Sequence, residues 1–217
     1  MGDSKEPVSA PAALGRLREG NRRFVSGFRD LGSFTDKIHR RKLAEAQNPF
    51  AVVVGCSDSR VPVEIVFDQG MGDLFVIRVA GNIVAPSQIG SVEFAAERFG
   101  TRLVVVLGHT GCGAIEATIE QLQEPGQKPS VNLQSIVNRI RPSVEPLLAS
   151  EIRHEPAGLV SQAVRANVRT SAERLRRGSA ILERLRDDGL LVVGAVYSLE
   201  TGVVEFFDGV PASSKGG

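Results

Sequence analysis

Two short segments hold the residues best suited to chemistry, Cys56-Ser57-Asp58-Ser59-Arg60 and Gly108-His109-Thr110-Gly111-Cys112-Gly113. Thiolate sulfur, imidazole nitrogen and carboxylate oxygen are the common zinc ligands, and these segments supply Cys56, Asp58, His109 and Cys112. Two sulfurs and a nitrogen make a soft donor set that suits zinc better than magnesium or calcium. If Cys56, His109 and Cys112 act alone, a fourth position stays open to water, as in catalytic sites. If Asp58 joins them, the site is closed. Arg60 bears on this choice, because a bidentate pair with Asp58 would draw the carboxylate off the metal and leave it to accept a hydrogen bond from a metal-activated water. Plainer readings also fit the spacing: a buried cysteine is often core filler, and an exposed Asp–Arg pair contributes under about 1 kcal/mol. No C-x-x-C is present to suggest a redox pair, and the zinc deaminase pattern of H-x-E with P-C-x-x-C is absent.

The elements that must position these residues read as an α/β fold. Short β-branched runs at Ala51–Gly55, Leu74–Val79, Leu103–Leu107 and Leu190–Tyr197 are apolar on both faces, as strands of a covered parallel sheet are. Ile89, Val92, Ala95, Ala96 and Phe99 mark a helix ending at Gly100, which makes a βαβ unit. A helix is expected from Gly113 to about Gln123, and more helix near 132–150 and 157–188, divided by Pro142, Pro146, Pro156 and Gly178. Val203–Phe207 reads as a last strand, paired as a hairpin with its predecessor through Glu200-Thr201-Gly202. The expectation is a mainly parallel sheet, four parallel strands plus an antiparallel edge strand, flanked by helices within one domain over 1–217. An amphipathic helical arm over about 12–28 is expected outside the main core, and a flexible tail over 213–217. Both cysteines then fall at carboxyl ends of strands, where ligands bind in open parallel sheets.

Composition narrows the function classes. The chain has 217 residues and 26 basic against 25 acidic side chains, so it offers no global field for nucleic acid or anionic lipid. Its apolar runs are far shorter than the ~20 residues needed to span a bilayer. The N-terminal stretch lacks the continuous apolar segment of a secretory signal, so a cytoplasmic setting is expected, in which both cysteines stay thiols. His39 and His154 lie in polar, Arg-rich stretches and read as surface residues rather than proton shuttles.

Taken together in order, the two motifs resemble the signature segments of the β-class carbonic anhydrases. Their flanks extend the likeness: Glu19-Gly20-Asn21-Arg22-Arg23-Phe24 upstream, and Phe75-Val76-Ile77-Arg78-Val79-Ala80-Gly81-Asn82 between them. The resemblance implies a zinc enzyme for the reversible hydration of carbon dioxide to bicarbonate and a proton. In it, Cys56, His109 and Cys112 match the metal ligands, and Asp58 with Arg60 the catalytic dyad. Gln47 matches a glutamine that meets substrate across a dimer interface. Phe75, Phe94 and Ala80 match apolar pocket positions, and Gly113 a backbone donor to substrate oxygens. It further implies a homodimer or homotetramer. Two departures stand out: Phe94 replaces a tyrosine common in the family, and Val53 occupies the place of a tryptophan used by a bicarbonate-regulated branch. Alternatives within reach of the same residues are hydrolysis of carbonyl sulfide or carbon disulfide, and a non-catalytic protein with a zinc site closed by Asp58.

Overall fold

The computed structural model describes residues 8–28, 43–124, 126 and 130–211. In chain order the elements are α1 (Ala10–Ser26), β1 (Ala51–Gly55), α2 (Val63–Val66), β2 (Leu74–Arg78), α3 (Pro86–Arg98), β3 (Leu103–His109), α4 (Gly113–Gln123), α5 (Val131–Leu148), α6 (Pro156–Arg177), α7 (Ala180–Asp187), β4 (Leu191–Tyr197) and β5 (Val204–Asp208). One five-stranded sheet has the order β2-β1-β3-β4-β5. Its first four strands are parallel, and β5 runs antiparallel to β4 at the edge. The predicted sheet, four parallel strands and an antiparallel edge strand flanked by helices, is therefore the observed one. The expected tail over 213–217 and His39 lie outside the described residues.

Alternation along each strand builds two core layers. Val53, Val105, Leu107, Val193 and Ala195 face α1 and α2. Val52, Val54, Val104, Val106 and Val192 face α3, α6 and α7. A third cluster, beyond the carboxyl ends of the strands, joins Cys56 and Cys112 to Ile115, Ile140 and Val164 of α4, α5 and α6. The connections from β1 and from β3 lead in opposite directions along the sheet. The crevice between those two strands is thus a topological switch point, where ligands of open α/β sheets bind.

Three local readings are corrected. First, α1 is not an arm outside the core: Leu17 and Ala13 are fully buried in the layer shared with β1 and β3. Two polar and backbone features fix it there. Asn21 donates to the carbonyls of Val66 and Gly202 and accepts from the amide of Val204. At Gly20 a Cβ would stand 1.8 Å from the carbonyl oxygen of Phe67, so only glycine permits the approach. Second, Pro142 and Pro146 do not divide the helix they sit in; α5 runs through both. They occupy its exposed face, where the carbonyls left without an amide partner can be hydrated. Third, β3 extends two residues beyond its apolar run, because Gly108 and His109 still pair with Val196 and Tyr197.

Leu17→Ala is expected to lower the free energy of unfolding by about 2–5 kcal/mol, as for other buried leucines. Urea denaturation would check this; a loss below about 0.5 kcal/mol, the scale of surface substitutions, would place α1 off the core.

Candidate metal centre

Cys56 leaves β1 at its carboxyl end, His109 is the last residue of β3, and Cys112 stands one residue before α4. All three are buried, and their ligand atoms lie within 4.8 Å of one another. His109 Nδ1 lies 3.0 Å from the Thr110 carbonyl oxygen, which can only accept, so Nδ1 carries the hydrogen and Nε2 keeps its lone pair. That Nε2 is one of two buried side-chain polar atoms without a hydrogen-bond partner among the described residues. A buried acceptor without a donor, beside two sulfurs, is a donor set able to hold a metal ion. The residues fit zinc on this ground as well as by donor type.

Charge at the centre is shared between the sulfurs. A hydrogen bond from Cys112 lowers the Cys56 pKa to about 4, against the opposing effect of burial, while the same bond and burial push Cys112 upward. The first amides of α4, those of Ile115 and Ala114, favour the Cys112 thiolate. Burial opposes a charged His109 ring, but the Cys56 sulfur, the Thr110 carbonyl and the Asp58 carboxylate together outweigh it and raise the pKa. A divalent cation would take the place of the shared proton and stabilise both sulfurs as thiolates.

Asp58 sits beside this group but outside it. Arg60 donates through Nε to Oδ1 at 2.9 Å and through Nη2 to Oδ2 at 2.7 Å, and its backbone amide donates to Oδ1 at 2.9 Å. These bonds hold the Asp58 carboxyl well below the usual carboxylate range. Asp58 Oδ2 is 4.0 Å from His109 Nε2. Arg60 Nη2 also donates to the Gly111 carbonyl at 3.2 Å, which ties the first segment to the second.

Other predicted residues divide into two groups. Ala80 and Gly113 adjoin the centre: Ala80 precedes Gly81, whose amide donates to Cys56 Sγ at 3.3 Å, and Gly113 follows Cys112. Gln47, Phe75 and Phe94 are not brought to it within one chain. Gln47 precedes β1 at the end opposite Cys56 and lines a surface cavity of about 700 Å³ with Phe99 and Arg98. Phe75 lies opposite Val52, three residues before Arg78, which is paired with Gly55. Its ring packs 6.2 Å from Phe94, itself 52% exposed. Sequence reasoning assigned no role to Arg78, which donates to the carbonyls of Cys56 at 3.0 Å and Asp58 at 2.6 Å. A lone arginine ending an apolar strand next to the site was the available signal.

A switch-point crevice lined by cysteine, histidine and cysteine marks an α/β fold whose site could hold a metal ion. The comparisons make the family specific. The carbonic anhydrase family model matches residues 51–204. Carbonic anhydrase 2 of Mycobacterium tuberculosis is 41% identical over 192 residues, covering 88% of this chain and 89% of the relative. The carbonic anhydrase of Mycolicibacterium smegmatis is 41% identical over 203 residues, covering 92% and 94%. Among solved structures, the β-carbonic anhydrase CafA of Aspergillus fumigatus superposes with a TM-score of 0.69 at 27% identity, over 93% of this chain and 92% of that one. One of two β-carbonic anhydrases from Sordaria macrospora, described as tetrameric, matches with a TM-score of 0.69 at 26% identity, over 77% and 85%. The chain belongs to the β-class carbonic anhydrases and is an enzyme of that family.

Because Asp58 is held below the ordinary carboxyl value of about 3.9, its pairing contributes stability above that value and loses it as pH falls through the native one. Arg60→Gln is expected to move the Asp58 carboxyl back up toward the ordinary range in an NMR titration. An unmoved titration would show that Arg60 does not set it.

Proposed function

We propose that this chain catalyses the zinc-dependent, reversible hydration of carbon dioxide to bicarbonate and a proton, in the cytoplasm, with Cys56, His109 and Cys112 as the metal ligands. One observation carries the reading: three ligand atoms converge within 4.8 Å while Arg60 holds Asp58 beside them rather than among them. That arrangement supports an open fourth position over a site closed by Asp58. When bound, zinc supplies a Lewis acid that makes a water acidic enough to ionise close to the working pH. The value of about 7 known for three-histidine carbonic anhydrase sites is not carried over, since two thiolates leave less positive charge on the metal.

The chain's own residues do the rest. Asp58, kept ionised and fixed by Arg60, accepts a hydrogen bond from the attacking oxygen and so turns its lone pair toward carbon. Ala80 offers a small apolar wall, suited to a substrate without charge or strong polarity. The Gly113 amide, at the open start of α4, donates to a substrate oxygen as negative charge develops on it. Gln47, Phe75 and Phe94 complete the reading through a second copy. They lie on the β2 side of the sheet, away from their own chain's cysteines, so we assign them to a neighbour's site in a homodimer or homotetramer.

Two measurements test this. Zinc analysis with a stopped-flow hydration assay should find one zinc per chain and a rate that rises with pH. Asp58→Asn should keep the metal and lose about 10²-fold or more in kcat/KM, the usual scale for a lost acid–base group. Metal present without hydration at any pH would favour the closed structural site. Size exclusion of the active protein should give a dimer or larger; a fully active monomer would remove Gln47, Phe75 and Phe94 from the site.

A further inference from the structure

The turn that follows β2 is held in an unfavourable backbone shape. Gly81 and Asn82 both have positive φ, +69° and +43°, and Asn82 is not a glycine. Such a turn persists only where its surroundings over-determine it. Three bonds do so here. The Asn82 amide donates to the Val79 carbonyl at 3.0 Å, the Gly81 amide donates to Cys56 Sγ at 3.3 Å, and Asn167 Nδ2 donates to the Gly81 carbonyl at 2.8 Å. The last comes from α6, far along the chain, and Asn167 is only 1% exposed.

Close helix packing makes that contact reachable. At Gly108 a Cβ would lie 2.6 Å from a Val168 methyl and 3.2 Å from a Val164 methyl; at Gly194 it would lie 2.8 Å from Val168. Two strand glycines therefore let α6 settle onto β3 and β4, with Asn167, next to Val168, over the turn. Packing alone would be served by an apolar side chain here, yet the buried residue is an amide spent on one backbone carbonyl.

We propose that Asn167 is a positioning residue of the metal centre: by holding the Gly81 carbonyl it aims the Gly81 N–H at the Cys56 sulfur. An N–H directed at a thiolate withdraws charge from it, so the sulfur gives less to the metal and the metal polarises water more strongly. This rests on the metal reading above, and the test separates the two. In protein loaded with an NMR-active cadmium isotope, the Gly81 amide hydrogen is expected to show scalar coupling to the metal through the N–H···S bond. A resolved Gly81 amide without coupling overturns the proposal while leaving the metal site intact; a protein that takes up neither zinc nor cadmium overturns both.

Asn167→Leu, compared in cobalt-substituted protein, is expected to move the sulfur-to-metal charge-transfer band to lower energy, as a sulfur relieved of its N–H donor gives more to the metal. Leu175→Ala, which removes buried packing from the same helix, is expected to lower stability and leave the band in place. An unmoved band in folded Asn167→Leu, or an equal shift in Leu175→Ala, would reduce Asn167 to packing.

Discussion

Two buried sulfurs and a buried imidazole nitrogen share one small space, and burying negative charge there is costly unless something compensates it. Much of the surrounding architecture answers that constraint. The Gly81 amide reaches Cys56, the first amides of α4 favour the Cys112 thiolate, and Arg78 secures the carbonyls on either side of Ser57. The shared hydrogen bond between the sulfurs is the remaining compensation, and a divalent cation is the chemically better one. The neighbouring carboxylate is kept apart by being satisfied elsewhere: its two oxygens take three hydrogen bonds from Arg60.

Position in the sheet explains why these groups meet. The connections from β1 and β3 lead opposite ways along the sheet, so their carboxyl ends border a crevice, with the turn after β2 against it. β3 outlasts its apolar run by two residues, and that extension carries His109 to the edge while leaving it fully buried. Gly108 contributes by having no side chain, since the valines of α6 occupy the space a Cβ would need. Strand, helix and turn are thus coupled at one point. α6 meets the backbone that carries His109, at Gly108, and the turn at Gly81 beside Cys56.

Much of this was legible in the chain. β-branched runs apolar on both faces announced parallel strands, and their boundaries fell within two residues of those observed. Cys56, Asp58, Arg60, His109 and Cys112 were identifiable from donor chemistry and local spacing, since each motif is short enough for its residues to meet without help from the rest of the fold. The helix α1 was misjudged because its buried face is made of small residues, Ala10, Ala13 and Gly20, beside two leucines. Such a face has little hydrophobic signal, and its value lies in close approach, which appears only with the partner surface in view. Prolines at 142 and 146 misled for the converse reason: their cost depends on whether the freed carbonyls meet water.

By itself, then, the sequence determined the strands, the donor set and the metal those donors prefer, because these follow from residue type and short-range spacing. Tertiary structure alone decided that Gln47, Phe75 and Phe94 lie away from their own chain's cysteines, that Arg78 braces the loop after β1, and that Asn167 reaches Gly81. Those relations join residues far apart in the chain through the order of strands and the depth at which one helix packs. No local pattern encodes either.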